Sequence, residues 1–225
     1  MIPPIIVNEA LQREIDIIAI TDHNHTANIK SVQDAAIGTG LTVVPGMEIQ
    51  TKEEVHSLCL FDSLDQAQAF QEIVDKHLPP LQNKPDFFGE QFVVDASGDF
   101  VRREEQLLII SCALTLDEAY QHVTDLGGLF IPAHVNRAKF GLIPVLGFIP
   151  TNIPFDALEI SRHTTPIAMR SLYPQLEQYP LILGGDVHYP DQFLGANQFH
   201  MQEVSIHEIK MALHGENGRF FSVKA

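Results

Sequence analysis

Apolar residues recur at helical spacing across residues 3–15, at Ile6, Val7, Ala10, Leu11 and Ile15, behind prolines suited to a first turn, and predict an opening helix. Short continuous apolar runs follow at 17–20, 41–44 and 55–61, the second ending at Pro45-Gly46. Flanked by polar helices, such runs read as strands buried on both faces of a parallel sheet. Leu64, Ala67, Phe70, Ile73, Val74 and Leu78 then mark an amphipathic helix. Residues 79–112 break this rhythm of strand then helix. Phe92-Val93-Val94 and Phe100-Val101 flank Ser97-Gly98, which predicts a hairpin inserted at about 85–112, while the run at 107–110 fits a strand or a helix start. Thr115 with Glu118 and Ser205 with Glu208 form capping boxes for two later helices, the first stopped by Gly127-Gly128 and the second reaching His214. Further strands at 129–131, 157–160 and 181–183 bring the count to about six, alternating with helices, and no Gly-x-Gly-x-x-Gly or Walker-type loop occurs. The pattern predicts one α/β domain over 1–225, a barrel of parallel strands rather than a nucleotide-binding open sheet.

The polar residues fall where such a barrel would use them. The run 17–20 leads into Thr21-Asp22-His23-Asn24-His25, 41–44 into Gly46-Met47-Glu48, 129–131 into Ala133-His134, and 181–183 into Gly184-Gly185-Asp186-Val187-His188. In a parallel barrel all carboxyl ends of the strands lie on one face, so these side chains would converge. His56 interrupts the otherwise apolar run 55–61 and points to the same site. Neutral imidazoles and ionised carboxylates are donors for Zn, Mn and Fe, and a bridging carboxylate can hold two such ions about 3.5 to 4 Å apart. A pair of ions so held can activate water and neutralise charge on a phosphoryl group, with no Ser or Cys nucleophile and no organic cofactor.

Composition narrows the picture further. Of 225 residues 45% are hydrophobic and 19% charged, which suits one ordinary globular domain and argues against disorder. The 14 basic and 29 acidic residues leave a formal charge of −15, a surface that would repel phosphate backbones, so nucleic acid is an unlikely partner on this ground. Two distant cysteines, Cys59 and Cys112, match neither a disulfide framework nor a CxxC site and read as reduced, buried thiols of a cytoplasmic protein. Residues 1–15 carry Glu9 and Glu14 and no basic stretch, so no signal peptide is expected, and no run of about 18 apolar residues suggests a membrane span.

The residues Asp16-Ile-Ile-Ala-Ile-Thr-Asp-His-Asn24, Val44-Pro-Gly-Met-Glu48, Pro132-Ala-His134 and Gly185-Asp-Val-His188, in that order, resemble motifs of the PHP (polymerase and histidinol phosphatase) family of metal-dependent phosphoesterases. The resemblance spans residues 6–188 and implies a distorted (β/α)7 TIM-like barrel with two or three divalent ions (Mn, Fe or Zn) at the strand ends. It implies His23, Glu48, His56, His134, Asp186 and His188 as ligands, Glu48 as their bridge, and a small-molecule phosphate ester as substrate. It places Asp22 and His56 in catalysis, Asp22 orienting a ligand or handling a proton. Arg137, Arg162 and Asn24 are candidates for binding substrate, the arginines through the phosphate oxygens and with surface ion pairs as an equal alternative, Asn24 with a capping role as an equal alternative. The other histidines, His77, His122, His200, His207 and His214, read as solvated, and Phe87, Phe88 and Phe92 as a lid or a satellite core.

The sequence departs from the family pattern at its start. The family opens with a strand bearing His-x-His, whereas here Met1-Ile-Pro-Pro already enters the helix and no histidine precedes His23. The resemblance therefore implies a barrel short of its first strand and two ligands, with an exposed sheet edge that a second copy could cover as a homodimer. It also leaves an alternative function: a non-catalytic metal-binding or scaffolding remnant of the family.

Overall fold

A computed structural model describes residues 1–224. The first helix, α1 (Pro3–Gln12), has proline in its first turn and is followed by β1 (Ile17–Ile20), α2 (Ile29–Ala35), β2 (Thr42–Gln50) and β3 (His56–Leu60). Next come α3 (Leu64–His77), a single turn α4 (Pro85–Phe88), and the hairpin β4 (Phe92–Val94) and β5 (Phe100–Arg103). The remainder is α5 (Leu116–Asp125), β6 (Leu129–Pro132), α6 (Leu142–Leu146), β7 (Leu158–Ile160), α7 (Pro166–Leu172), β8 (Leu181–Leu183), β9 (Asn197–His200), α8 (Ile206–His214) and β10 (Phe220–Val223). The run 107–110 adopts neither helix nor strand. Among the described residues no helix is long and apolar enough to cross a membrane.

The arrangement is α/β, but the sheet is mixed. Its strand order is β1-β2-β3-β6, with β1 parallel to β2, and with β2 and β3, then β3 and β6, antiparallel. The expectation of uniformly parallel strands fails here because two-sided burial makes a strand apolar whatever its direction. The connection was the informative signal. β2 runs through Pro45-Gly46 to Gln50, leaving a turn in which Thr51 N–H donates to the Val55 carbonyl, too short for the crossover that parallel pairing needs. Pro45-Gly46 marks the point where a second partner joins rather than a strand end: the regular ladder with β1 ends at Pro45 and pairing with β3 starts at Gly46, while Glu48 still exchanges backbone hydrogen bonds with Asp22 and Asn24 in the segment after β1. Gly46 is required by space, since a Cβ there would lie 2.9 Å from Thr21 Cγ2 and 3.0 Å from the Cys59 carbonyl.

The parallel pair β7-β8, the β9-β10 ribbon and the β4-β5 hairpin form separate small sheets. Thr115 and Glu118 cap α5 reciprocally, as their spacing predicts. Ser205 caps α8 through the Glu208 N–H alone, because the Glu208 carboxylate binds Arg219 at 2.8 and 3.0 Å and so ties α8 to the start of β10. The main core lies between the sheet and the helices. A second apolar cluster, including Leu129, Ile131, Ala157, Ile182 and Leu213, lies on the other face of β6, β7 and β8, closed by α8. In the insertion Phe87, Phe88 and Phe92 are all exposed, and none belongs to either core.

One side of the sheet is open. The Asp16 carbonyl accepts from Thr42 N–H and the Asp22 carbonyl from Glu48 N–H, so the even residues of β1 turn their backbone groups to β2. Ile17, Ala19 and Thr21 turn theirs the other way, where no backbone or side-chain partner among the described residues meets them. They border a groove of about 710 Å³ floored by Leu58, Leu60, Leu129 and Ile131 and walled opposite by β8. On that wall the Asn197 amide already occupies both the N–H and the carbonyl of Leu183. Amide hydrogen exchange followed by NMR should therefore find Ile18 and Ile20 protected and Ile17, Ala19 and Thr21 exchanging at least about tenfold faster within the same short strand; equal protection along β1 would mean the edge is covered.

Candidate metal centre

The groove ends at a group of imidazoles and carboxylates, each placed by a strand terminus. His23 lies just beyond β1 and forms an isolated parallel bridge with Glu48, which brings these two side chains together on one face. Glu48 sits in β2 opposite Leu58, and His56 opposite Gln50, so the antiparallel register sets His56 diagonally beside Glu48. His134 lies two residues beyond β6, where Ala133 N–H donates to the His56 carbonyl. Asp186 and His188 follow β8.

The result is one buried carboxylate surrounded by three imidazoles. Glu48 Oε2 is 3.1 Å from His23 Nδ1, and Glu48 Oε1 is 3.2 Å from both His56 Nδ1 and His134 Nε2. No lysine or arginine pairs with Glu48 among the described residues. His188 stands farther out, its ring centroid 6.2 Å from that of His23, with Nε2 3.0 Å from Asp186 Oδ1. His56 is further fixed by stacking on Phe140 at 4.4 Å, a neighbour without a signal in the sequence. His23, Glu48 and His56 offer ligand atoms within 4.8 Å of one another.

The donor set fits a divalent ion. Imidazoles and a carboxylate are the donor types that Zn, Mn and Fe take, and those of His23, Glu48 and His56 lie close enough to share one ion; on the ring edges turned away from Glu48, His56 Nε2 and His134 Nδ1 are buried with no hydrogen-bond partner among the described residues. Burial holds His23 below its ordinary value despite the pull of Glu48, so its imidazole is neutral and able to ligate near neutral pH. Burial pushes Glu48 up, but hydrogen bonds to His134 and His56 and the nearness of His23 outweigh it and hold the carboxyl well below its usual range. Asp186 is lowered and His188 raised, each chiefly by their mutual hydrogen bond.

The other predicted residues take up varied places. Asp22 is exposed at the groove beside His23, with Oδ2 accepting from the Asn28 amide. Arg137 lies at the rim, Nη1 2.7 Å from Asp186 Oδ2. Arg162 donates to the carbonyls of Asp186 and Gln192, so its contacts hold the loop after β8. Asn24 is fully buried: its amide donates to the Leu108 and Ile110 carbonyls and its oxygen accepts from Gln50 N–H, which latches the 107–110 segment to β2. Asn24, His134 and Asp186 all have positive φ (50°, 33° and 42°), so the backbone is strained where the site is built.

Sequence reasoning missed Glu159, in the middle of β7 and buried. Its signal is the one that exposed His56, a charged residue inside a short apolar run. Burial pushes its carboxyl up to about 7, against the hydrogen-bonding and attraction of His134.

Proton linkage gives a test in the metal-free protein. A folded-state value above the ordinary 4.5 means that the contribution of Glu159 is fully present below about pH 4.5 and is lost as pH rises to about 7, an effect of roughly 3 kcal/mol. The contribution of Glu48 has the opposite sign, present above 4.5 and lost in acid. Urea denaturation across pH 4–8 should show Glu159→Gln losing the decline between pH 4.5 and 7 that the wild type carries; parallel curves would refute the assignment.

No family model and no curated protein matches this chain. Solved structures do. The lesion-specific endonuclease PfuEndoQ from Pyrococcus furiosus superposes with a TM-score of 0.69 at 20% identity, covering 97% of this chain and 52% of its own. A complex of Endonuclease Q with a 27-mer duplex bearing an abasic lesion at the active site gives 0.68 at 18% identity, covering 96% and 52%. A putative metal-dependent phosphoesterase from Bifidobacterium adolescentis gives 0.55 at 18% identity, covering 84% and 83%. The chain thus shares their fold and spans about half the length of the Endonuclease Q chains. The exclusion of nucleic acid drawn from net charge does not stand: a protein of this fold holds duplex DNA at its active site, and net charge sums over a whole surface whereas binding depends on the local field.

Proposed function

We propose that this chain is a divalent-metal-dependent phosphoesterase, with His23, Glu48, His56, His134, Asp186 and His188 as its ligand set. The observation that carries this reading is the buried Glu48 carboxylate with three imidazoles within 3.2 Å and, among the described residues, no lysine or arginine paired with it. Bound divalent ions would supply Lewis acidity and an activated water. The protein's own part is positional: His23, His56 and His134 hold the donors around Glu48, and Arg162 fixes the loop that presents Asp186 and His188. In this reading Arg137 turns from Asp186 to a phosphate oxygen and Asp22 accepts or returns a proton; the Arg137–Asp186 contact and the position of Asp22 at the groove support it.

The substrate we favour is a small-molecule phosphate ester. A second reading, cleavage of a DNA phosphodiester, is supported by the superposition on Endonuclease Q over nearly the whole chain. For the fold, our finer reading is a distorted (β/α)7 barrel open between β1 and β8, and for assembly a homodimer in which a second copy covers the free edge of β1. Both buried free thiols suit a reducing compartment such as the cytoplasm.

Elemental analysis after loading with Mn, Fe or Zn should find at least one ion per chain, and Glu48→Gln should weaken binding at least about a hundredfold. Hydrolysis of a nitrophenyl phosphate panel and nicking of an abasic duplex, run on the same loaded protein, separate the two substrate readings. Metal binding without either activity would favour the non-catalytic alternative, and no binding in the wild type would overturn the proposal.

A further inference from the structure

Glu159 lies between Leu158 and Ile160, which face the main core, so its side chain turns to the opposite face, toward the groove. There its carboxyl meets no lysine or arginine among the described residues, and its one hydrogen bond is from the backbone N–H of His134 to Oε1 at 3.1 Å. The main chain adds a second tie, Val135 N–H donating to the Glu159 carbonyl at 2.8 Å. These two contacts bracket His134, whose φ of 33° is one that L-residues rarely adopt without support. The next strand leaves room for the carboxyl. A Cβ on Gly184 would lie 2.2 Å from Glu159 Cδ and 2.3 Å from Oε1, so any side chain at position 184 would displace it. An acid buried this deeply without a cation is costly, and its placement needs a compensating role.

We infer that Glu159 is a positioning residue of the metal centre: its carboxyl anchors the His134 peptide in the strained conformation that aims Nε2 at Glu48, and Gly184 is the space that admits it. The inference rests on the metal-binding reading of the cluster. It assigns Glu159 no contact with a metal ion or substrate. It predicts that the acceptor oxygen matters, whereas charge and bulk do not.

The test compares Glu159→Gln, which keeps an acceptor oxygen and the size, with Glu159→Leu, which keeps the approximate size alone, and with Gly184→Ala. Affinity for Mn and Zn is measured by calorimetry on folded protein, with circular dichroism reporting the fold. Glu159→Gln should bind within about threefold of wild type, while Glu159→Leu and Gly184→Ala should lose tenfold to a hundredfold. NMR of the metal-free proteins with labelled histidine should show the His134 amide and ring signals shifted in the Leu and Ala variants and restored in Gln. Equal loss in Gln and Leu, or unchanged affinity and His134 signals in Leu, would overturn the inference. If the wild type binds no metal, the metal reading fails, and the His134 signals still decide whether Glu159 positions that residue.

Discussion

A single buried carboxylate governs this structure. Glu48 sits in the strand that pairs with β1 on one side and β3 on the other, and its two oxygens are approached by imidazoles from three strand ends. An isolated carboxylate at that depth would protonate; the surrounding imidazoles keep it ionised. The same carboxylate draws His23, His56 and His134 within one ion's reach of one another. Folding, ionisation and donor geometry are therefore one problem at Glu48, and register errors in β2 would disturb all three.

The neighbourhood shows how that arrangement is held. Asn24 spends every polar group of its side chain binding the 107–110 segment to β2, and Arg162 spends its donors on the loop after β8. Phe140 stacks on His56. These contacts fix left-handed backbone at Asn24 and Asp186, while Glu159 does so at His134. Rigid strands supply the direction of the donors, and short irregular segments, stabilised by buried hydrogen bonds, supply the last turn toward the site.

Among the described residues no strand pairs with the outer edge of β1. The backbone groups of that edge border an apolar groove that leads to the candidate metal centre, whereas the facing edge of β8 is partly satisfied by Asn197. An edge of this kind invites pairing with another strand. The groove and the site are continuous, so whatever covers β1 lies beside the chemistry.

Much of the fold could be read from the sequence. Periodicity located α1, β1, α3 and the β4-β5 hairpin, and hydrogen-bonding residues located the caps of α5 and α8. The candidate ligands were legible because acids and histidines followed short apolar runs, and His56 because it broke one. Strand direction was not legible, since a run buried on two faces has the same composition whether its neighbour is parallel or antiparallel. The β9-β10 ribbon escaped because its strands are short, partly polar and separated by α8.

Sequence by itself determined which residue types were present and where strands would deliver them, because side-chain periodicity and turn chemistry are local. Tertiary structure decided that Asn24 faces inward as a latch, that Arg162 holds main chain, and that Gly184 makes room for Glu159. Those roles depend on which distant backbone groups each side chain meets, and that is set by the packing of β1, β2, β6, β7 and β8 around Glu48 rather than by any local pattern.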